Sequence, residues 1–143
     1  MLPFRTFAAS ALFVPFLLIG PALAQSEPAP AAADWAAAQT VQVDMADFAF
    51  TPKALKFIAN KPYQLRLTNK AGHGHSFDAP EFFAAVGVAR EDQAKVVKGE
   101  IEVEGGQTVD VKFVPTVSGT YKFHCSHFGH ALFGMTGEAV VIQ

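Results

Sequence analysis

Apolar and polar residues alternate along much of this chain, and the alternation restricts the fold more than any other feature. In residues 62–69, PYQLRLTN, the apolar Tyr63, Leu65 and Leu67 fall on one side of an extended chain and polar residues fall on the other. The same period of two runs through residues 107–115, QTVDVKFVP, and residues 119–125, GTYKFHC. Strands that bury a single face have this pattern. It predicts an all-β fold.

Shorter segments complete the predicted architecture. Further strands are expected at residues 40–45, 54–59, 99–104 and 136–142, with Gly, Pro and Asn at the breaks, and this arrangement favours an antiparallel sandwich or barrel. Helix is limited to at most one short helix around residues 80–97, where Pro80 and Glu81 suit a helix start. Gly87 argues against that helix continuing.

The N-terminus has the organisation of a secretory signal peptide. Residues 1–24 contain Arg5, an apolar run over residues 7–19 and the small-x-small sequence Ala22-Leu23-Ala24. A membrane anchor is the alternative, but Pro15 interrupts the run and no stop-transfer charges follow. We expect a cleaved signal peptide, an Ala/Pro-rich flexible leader over residues 25–39 and one domain over residues 40–143. The mature protein is therefore expected in the periplasm, with no membrane segment.

The charge of the chain excludes one class of partner. The full sequence has 11 basic and 13 acidic residues and a net charge of −2. Loss of Arg5 with the signal peptide leaves 10 basic residues against 13 acidic ones, or about −3. No basic run or basic aromatic patch is present, so nucleic acid is not an expected partner.

The only cysteine lies in a segment with metal-ligand spacing. An exported protein with a single cysteine cannot form an internal disulfide, so Cys125 needs another explanation. Cys125, His130 and Met135 are spaced C-x4-H-x4-M. A thiolate, an imidazole and a thioether suit copper rather than calcium or magnesium, and a second imidazole is present upstream in TNKAGHGHSF. The alternatives are a buried apolar cysteine and a methionine that fills the core.

Both segments resemble those of the cupredoxin family of type 1 copper proteins. LTNKAGHGHSF is similar to the cupredoxin pattern of an Asn shortly before the first copper histidine, and GTYKFHCSHFGHALFGMTGEAVVI is similar to the cupredoxin C-terminus. The ligand spacing is nearest to that of rusticyanin and azurin. The resemblance implies a Greek-key β-sandwich that binds copper through the equatorial ligands His75, Cys125 and His130, with Met135 as the axial ligand.

Two residues near the first histidine carry further expectations. The resemblance to the family's spacing after the Asn implies that His75 rather than His73 is the ligand, counted from Asn69. By resemblance, Asn69 braces the ligand loop through hydrogen bonds near the thiolate, although an ordinary turn residue is an equal alternative.

Three histidines exceed what such a site needs. All five histidines lie in the two ligand segments, and His73, His124 and His127 have no role in a site with two imidazoles. They are either solvated loop residues or a second, more exposed copper site, since imidazole binds cupric ion well. His127 is also an alternative ligand in place of His130.

The expected function is one-electron transfer by a protein that is not an enzyme. A complete ligand set leaves no open position for a substrate, and a single cysteine excludes a dinuclear centre. The alternative is a copper-binding protein for tolerance or delivery.

The expected partner is a transient redox protein, such as a cytochrome or an oxidase, or a copper-handling protein. The loop tip with Phe128, Ala131, Leu132 and Phe133 forms a docking face unless Leu132 and Phe133 pack inward.

Overall fold

The computed structural model describes residues 33–143. The predicted signal peptide, residues 1–24, and residues 25–32 of the predicted leader lie outside the described residues. Within the leader's last part, Trp35–Ala37 forms one 3-10 turn, and the Asp34 carboxylate accepts the Ala36 N–H at 3.0 Å. In residues 33–143 no helix has the length and apolar character to cross a membrane.

Ten strands make up about half of the described chain. In chain order they are β1 (Gln39–Ala46), β2 (Ala49–Thr51), β3 (Ala54–Ile58), β4 (Tyr63–Asn69), β5 (His75–Asp78), β6 (Val86–Val88), β7 (Glu100–Val103), β8 (Thr108–Pro115), β9 (Gly119–His124) and β10 (Thr136–Ile142). Every strand predicted from the sequence is present, and its ends agree with the prediction to within one residue. The pattern missed β2, β5 and β6, which have at most four residues each and are too short to show an alternation.

The strands form two five-stranded sheets that pack as a Greek-key β-sandwich. One sheet has the order β2-β1-β4-β8-β6, and the other has the order β3-β10-β9-β5-β7. The expected antiparallel pairing is confirmed for six of the eight strand pairs. It is wrong for two, because β1 pairs with β4 and β3 pairs with β10 in parallel. Both pairs join strands from separate parts of the chain, which no single hairpin can connect.

The expected helix around residues 80–97 is shorter than its segment. Helix α1 spans only Pro80–Ala84, with Pro80 in its first turn and Phe82 and Phe83 buried. Gly87 lies in β6, opposite Val114 of β8. All three residues of β6 are buried, so sheet pairing and burial override helix formation there. A 3-10 helix, Arg90–Lys95, completes the segment.

Aromatic side chains fill the space between the sheets. The alternation in β4 is confirmed, since Tyr63, Leu65 and Leu67 are all buried. Phe77 stacks on Phe123 with ring centroids 4.5 Å apart. Burial of one such side chain stabilises the fold by about 1.5–3 kcal/mol. The fully buried phenylalanines are Phe50, Phe57, Phe77, Phe82, Phe113 and Phe123.

The predicted ligand segments meet because β5 and β9 are neighbours in one sheet. His75 is the first residue of β5, and Cys125 directly follows the last residue of β9. The two strands are antiparallel, so loops that are distant in sequence reach the same end of the sandwich.

Candidate metal centre

The loop between β9 and β10 is closed by its own backbone. The N–H of Cys125 donates to the Met135 carbonyl at 3.1 Å, and the N–H of Met135 donates to the His130 carbonyl at 3.0 Å. Gly129 and Gly134, directly before His130 and Met135, have φ values of 79° and 102°. Side chains other than hydrogen are disfavoured at such angles, so glycine permits the two turns that aim the following residues.

His75 is held from the opposite side of the site. Asn69, at the end of β4, donates to the carbonyls of His73 at 2.8 Å and Val103 at 2.9 Å, and it accepts the Ala71 N–H at 2.9 Å. These hydrogen bonds of Asn69 fix the turn that leads to His75.

Three potential ligand atoms converge at one point. The Nδ1 atoms of His75 and His130 are 3.2 Å apart. Cys125 Sγ lies 3.4 Å from His130 Nδ1 and 3.8 Å from His75 Nδ1. Nitrogen and sulfur ligands bind a transition metal at about 2.0–2.3 Å, so ligand atoms around one ion lie roughly 3–4 Å apart. This triangle fits a single metal ion.

The environment of His75 keeps its imidazole available as a ligand. The side chain is fully buried, and within residues 33–143 its Nε2 has no hydrogen-bond partner. Asp47 Oδ1 is 3.5 Å from that nitrogen, at the outer limit of a hydrogen bond. Burial, followed by repulsion from His130 and His73, lowers the pKa of His75, and Asp47 only partly opposes this. A neutral imidazole is the form that binds metals.

The thiol of Cys125 has a hydrogen-bond donor that the sequence reasoning missed. The backbone N–H of Ser76 donates to Cys125 Sγ, with 3.5 Å between nitrogen and sulfur. A donor at this position stabilises the negative charge of a thiolate. The signal in the sequence was only the position of Ser76 directly after His75.

Met135 is fully buried and belongs to the same hydrophobic cluster as Cys125. Its backbone bonds to both Cys125 and His130 fix its place in the loop. That position is compatible with the expected axial thioether. The predicted residues His75, Cys125, His130 and Met135 are thus brought together at one end of the sandwich.

The remaining histidines divide into two near the site and one apart from it. His73 Nε2 lies 3.4 Å from Asp47 Oδ1, and His127 Nε2 lies 2.9 Å from Glu102 Oε1. Potential ligand atoms lie within 4.8 Å of one another in two groups: His73, His75 and His130, and Cys125, His127 and His130. His124 belongs to neither group, and its Nε2 lies 3.4 Å from Asp78 Oδ2. A second copper site shared by all three histidines requires His124 to lie beside His73 and His127. The structure does not place it there.

The loop that carries His130 also presents apolar side chains to solvent. The side chains of Phe128, Leu132 and Phe133 are exposed, and the alternative that Leu132 and Phe133 pack inward is wrong. Phe48, which the sequence reasoning did not single out, packs edge-on against His130 and Phe133 at centroid distances of 5.3 and 5.4 Å.

Comparison with known proteins assigns this fold and site to a family. Residues 11–141 match the family described as cupredoxin-like domain, so the chain belongs to the cupredoxins. The cluster of His, Cys and Met side chains fits a type 1 copper site. No curated protein sequence matches the chain.

Solved structures of similar fold include two auracyanins. One is a dithionite-reduced auracyanin from the photosynthetic bacterium Roseiflexus castenholzii, with a TM-score of 0.57 and 16% identity over 75% of this chain and 99% of that one. Auracyanin B has a TM-score of 0.55 and 22% identity over 83% of this chain and 100% of that one. A multicopper oxidase from Campylobacter jejuni has a TM-score of 0.56 and 12% identity, over 73% of this chain but only 30% of the oxidase.

Proposed function

We propose that this protein is a periplasmic mononuclear copper protein that carries one electron at a time. His75, Cys125 and His130 are the proposed equatorial ligands, and Met135 is the proposed axial ligand. The observation that carries the proposal is the triangle of two imidazole nitrogens and one thiol sulfur, with sides of 3.2, 3.4 and 3.8 Å. Two nitrogens, a sulfur and a weak axial thioether form the ligand set of electron-transfer copper sites.

The chain's own residues would keep that site rigid. Bound copper supplies the one-electron chemistry by changing between the cuprous and cupric states. His75 and Cys125 are buried, and the loop from Cys125 to Met135 is fixed by its backbone bonds. Ligands that cannot move need little rearrangement when one electron is added or removed. The Ser76 N–H offsets negative charge on the Cys125 sulfur and is one control on the potential.

Electrons would pass through the exposed side of His130. Phe48 packs against this histidine, and with the exposed Phe128, Leu132 and Phe133 of the ligand loop it offers an apolar surface that suits a small, transient contact. The proposed partner is a redox protein such as a cytochrome or an oxidase. Auracyanin A is described as a blue copper protein, and its fold is similar to that of this chain. The TM-score is 0.50 and the identity is 21%, over 72% of this chain and 99% of that one.

The periplasmic location rests on the sequence of residues 1–24, which has the charge, apolar run and cleavage site of a signal peptide. The proposal of a carrier rather than an enzyme rests on the complete set of four ligands. The oxidases of similar fold are larger than this chain, which aligns with 30% of one and 38% of another, a blue copper oxidase from Nitrosomonas europaea.

The visible absorption spectrum of the copper-loaded mature protein tests this function. The wild-type protein should show an intense thiolate-to-copper band, and Cys125→Ser should abolish it while the far-UV circular dichroism stays unchanged. The matched control is Ser126→Ala, the neighbouring residue, which should keep the band. An identical spectrum in wild type and Cys125→Ser would contradict the proposal.

A role in copper tolerance or delivery is the second candidate. It is favoured by the two additional histidines beside the site, each next to a carboxylate: His73 with Asp47, and His127 with Glu102. Such a protein would hold a second copper ion, with His73 and His127 as its proposed ligands. Metal analysis after equilibrium dialysis separates the two functions, because two copper ions per chain favour this candidate and one ion favours the carrier.

A further inference from the structure

Four imidazole rings gather at the proposed copper site, although the site uses only two. The ring centroids of His73 and His127 lie 4.9 and 6.3 Å from that of His75, and 5.9 and 5.6 Å from that of His130. The two groups of potential ligand atoms share His130. An ion bound to His130 can therefore be reached by outer histidines as well as by the inner ligands.

The outer and inner ligands differ in their access to solvent. The side chains of His73 and His127 are 56% and 33% exposed, whereas His75 is fully buried. A hydrated ion approaching from solvent meets the outer imidazoles first. It reaches His75 and Cys125 only after it has lost most of its water.

The pair of His127 and Glu102 has the form of a metal ligand with a supporting carboxylate. Glu102 accepts the Nε2 proton of His127 at 2.9 Å, which leaves the Nδ1 lone pair free. Histidines that ligate metals commonly donate their other ring N–H to a carboxylate in this way. An exposed ion pair of the same residues would contribute little to stability.

The backbone next to this pair leaves room for it. A Cβ on Gly74 would lie 2.8 Å from Glu102 Oε1 and 3.4 Å from His127 Cε1. Gly74, between His73 and His75, therefore keeps the space that this pair occupies. The space borders the turn to the buried ligand His75.

We propose that His73 and His127 are uptake ligands for copper. They replace water on the incoming ion, with His130 as the ligand common to both stages, and they give way to His75 and Cys125 by ligand exchange. Throughout, the Nε2 of His127 keeps its proton and donates it in the hydrogen bond to Glu102. Cys125 releases its thiol proton to solvent when its sulfur binds the ion. No electron is transferred in these steps. The inference rests on the proposed copper site.

Stopped-flow absorption of the apoprotein mixed with excess cupric ion tests the inference. The thiolate-to-copper band reports arrival at Cys125, and His73→Gln, His127→Gln and the double variant are compared with wild type. We expect the double variant to form the band about tenfold more slowly, an effect of the size that partners of metal ligands have on metal affinity. The final spectrum should equal that of wild type.

His124→Gln is the matched control, because His124 lies in the same segment and next to a carboxylate but outside both groups. It should leave the rate unchanged. Glu102→Gln should slow uptake in the same direction as His127→Gln.

The outcomes separate this inference from the proposed function. Equal rates in wild type and the double variant would overturn the inference alone, and so would a changed final spectrum, which would make an outer histidine a resident ligand. Two copper ions per wild-type chain would also overturn it. A wild-type protein that never develops the band would instead contradict the proposed function.

Discussion

The hydroxyl oxygen of Ser76 accepts the backbone N–H of Ser126 at 2.9 Å, and the two hydroxyl oxygens are also 2.9 Å apart. Ser76 directly follows His75, and Ser126 directly follows Cys125. Ser126 Oγ donates its only proton to Glu100 Oε1 at 2.6 Å, so Ser76 Oγ must donate to Ser126 Oγ. This small network joins the two segments that carry the proposed ligands.

Ser76→Ala should therefore loosen the site. The substitution leaves the Ser126 N–H without its partner, and we expect the free energy of unfolding of the apoprotein to fall by about 1 kcal/mol. The thiolate-to-copper band should also shift or broaden in the loaded protein. Denaturant unfolding and visible absorption measure the two effects.

Ser126→Ala is the control for this prediction, because it removes a hydroxyl but keeps the N–H bond to Ser76. Its effect on unfolding should be smaller than that of Ser76→Ala. Equal effects of the two substitutions on the free energy of unfolding would show that the hydrogen bond from the Ser126 N–H to Ser76 does not stabilise the fold.

Much of the fold could be predicted because one-sided strands leave a clear pattern. In β4, Tyr63, Leu65 and Leu67 are buried while their neighbours are half-exposed. In β5, by contrast, His75, Ser76 and Phe77 are all buried, so no alternation marks it as a strand. The parallel pairing of β1 with β4 is set by packing of the whole domain, which local sequence does not contain.

The site residues that lie in one loop could be predicted from the sequence. Their contacts with residues that are distant in the sequence could not. Cys125, His130 and Met135 share a spacing, but nothing in the sequence shows that Glu102 lies beside His127 or that Phe48 covers His130. The same holds for His124, which is only one residue from Cys125 yet lies beside Asp78. Adjacent residues of an extended chain point in opposite directions, so proximity in sequence is a poor guide there.

Gly134→Ala should destabilise the ligand loop. Gly134 has a φ of 102°, in a region that residues with a Cβ rarely adopt, and nothing lies within 4 Å of the added atom. The cost is therefore one of backbone strain, about 1–2 kcal/mol or more. Thermal or denaturant unfolding of the apoprotein measures it.

Gly72→Ala is the matched control for Gly134→Ala. Gly72 also has open space where a Cβ would be added, but its φ lies outside the left-handed region. Alanine there should be neutral or stabilise by up to about 1 kcal/mol, because it reduces the freedom of the unfolded chain. Equal destabilisation at both positions would refute the argument from φ.

Asp110 should contribute to the acid sensitivity of the fold. Arg66 faces Asp110 across β4 and β8 with two hydrogen bonds of 2.8 Å. These bonds, which outweigh partial burial, lower the pKa of Asp110 from 3.8. Because the pKa is lower in the folded state, the ionised carboxylate stabilises the fold above the unfolded value. This contribution is lost as the pH falls through the folded value.

Asp110→Asn removes that dependence. Both side chains are partly exposed, so the pair contributes no more than about 1 kcal/mol. We expect the free energy of unfolding of wild type to fall more steeply than that of Asp110→Asn as the pH drops below about 4. The difference between the two proteins should be constant at neutral pH, and parallel curves through the acid range would contradict the assignment.

Met135→Leu should change the reduction potential of the copper-loaded protein while leaving the fold intact. Leucine has a similar volume and lacks the thioether, so the unfolding free energy should change by less than about 1.5 kcal/mol. Loss of the axial donor leaves the more highly charged cupric ion less stabilised, so the potential is expected to rise. Met45→Leu is the control, because Met45 is equally buried but lies in β1 rather than in the ligand loop. Protein-film voltammetry on both variants gives the comparison, and a potential that moves equally in both would remove Met135 from the proposed ligand set.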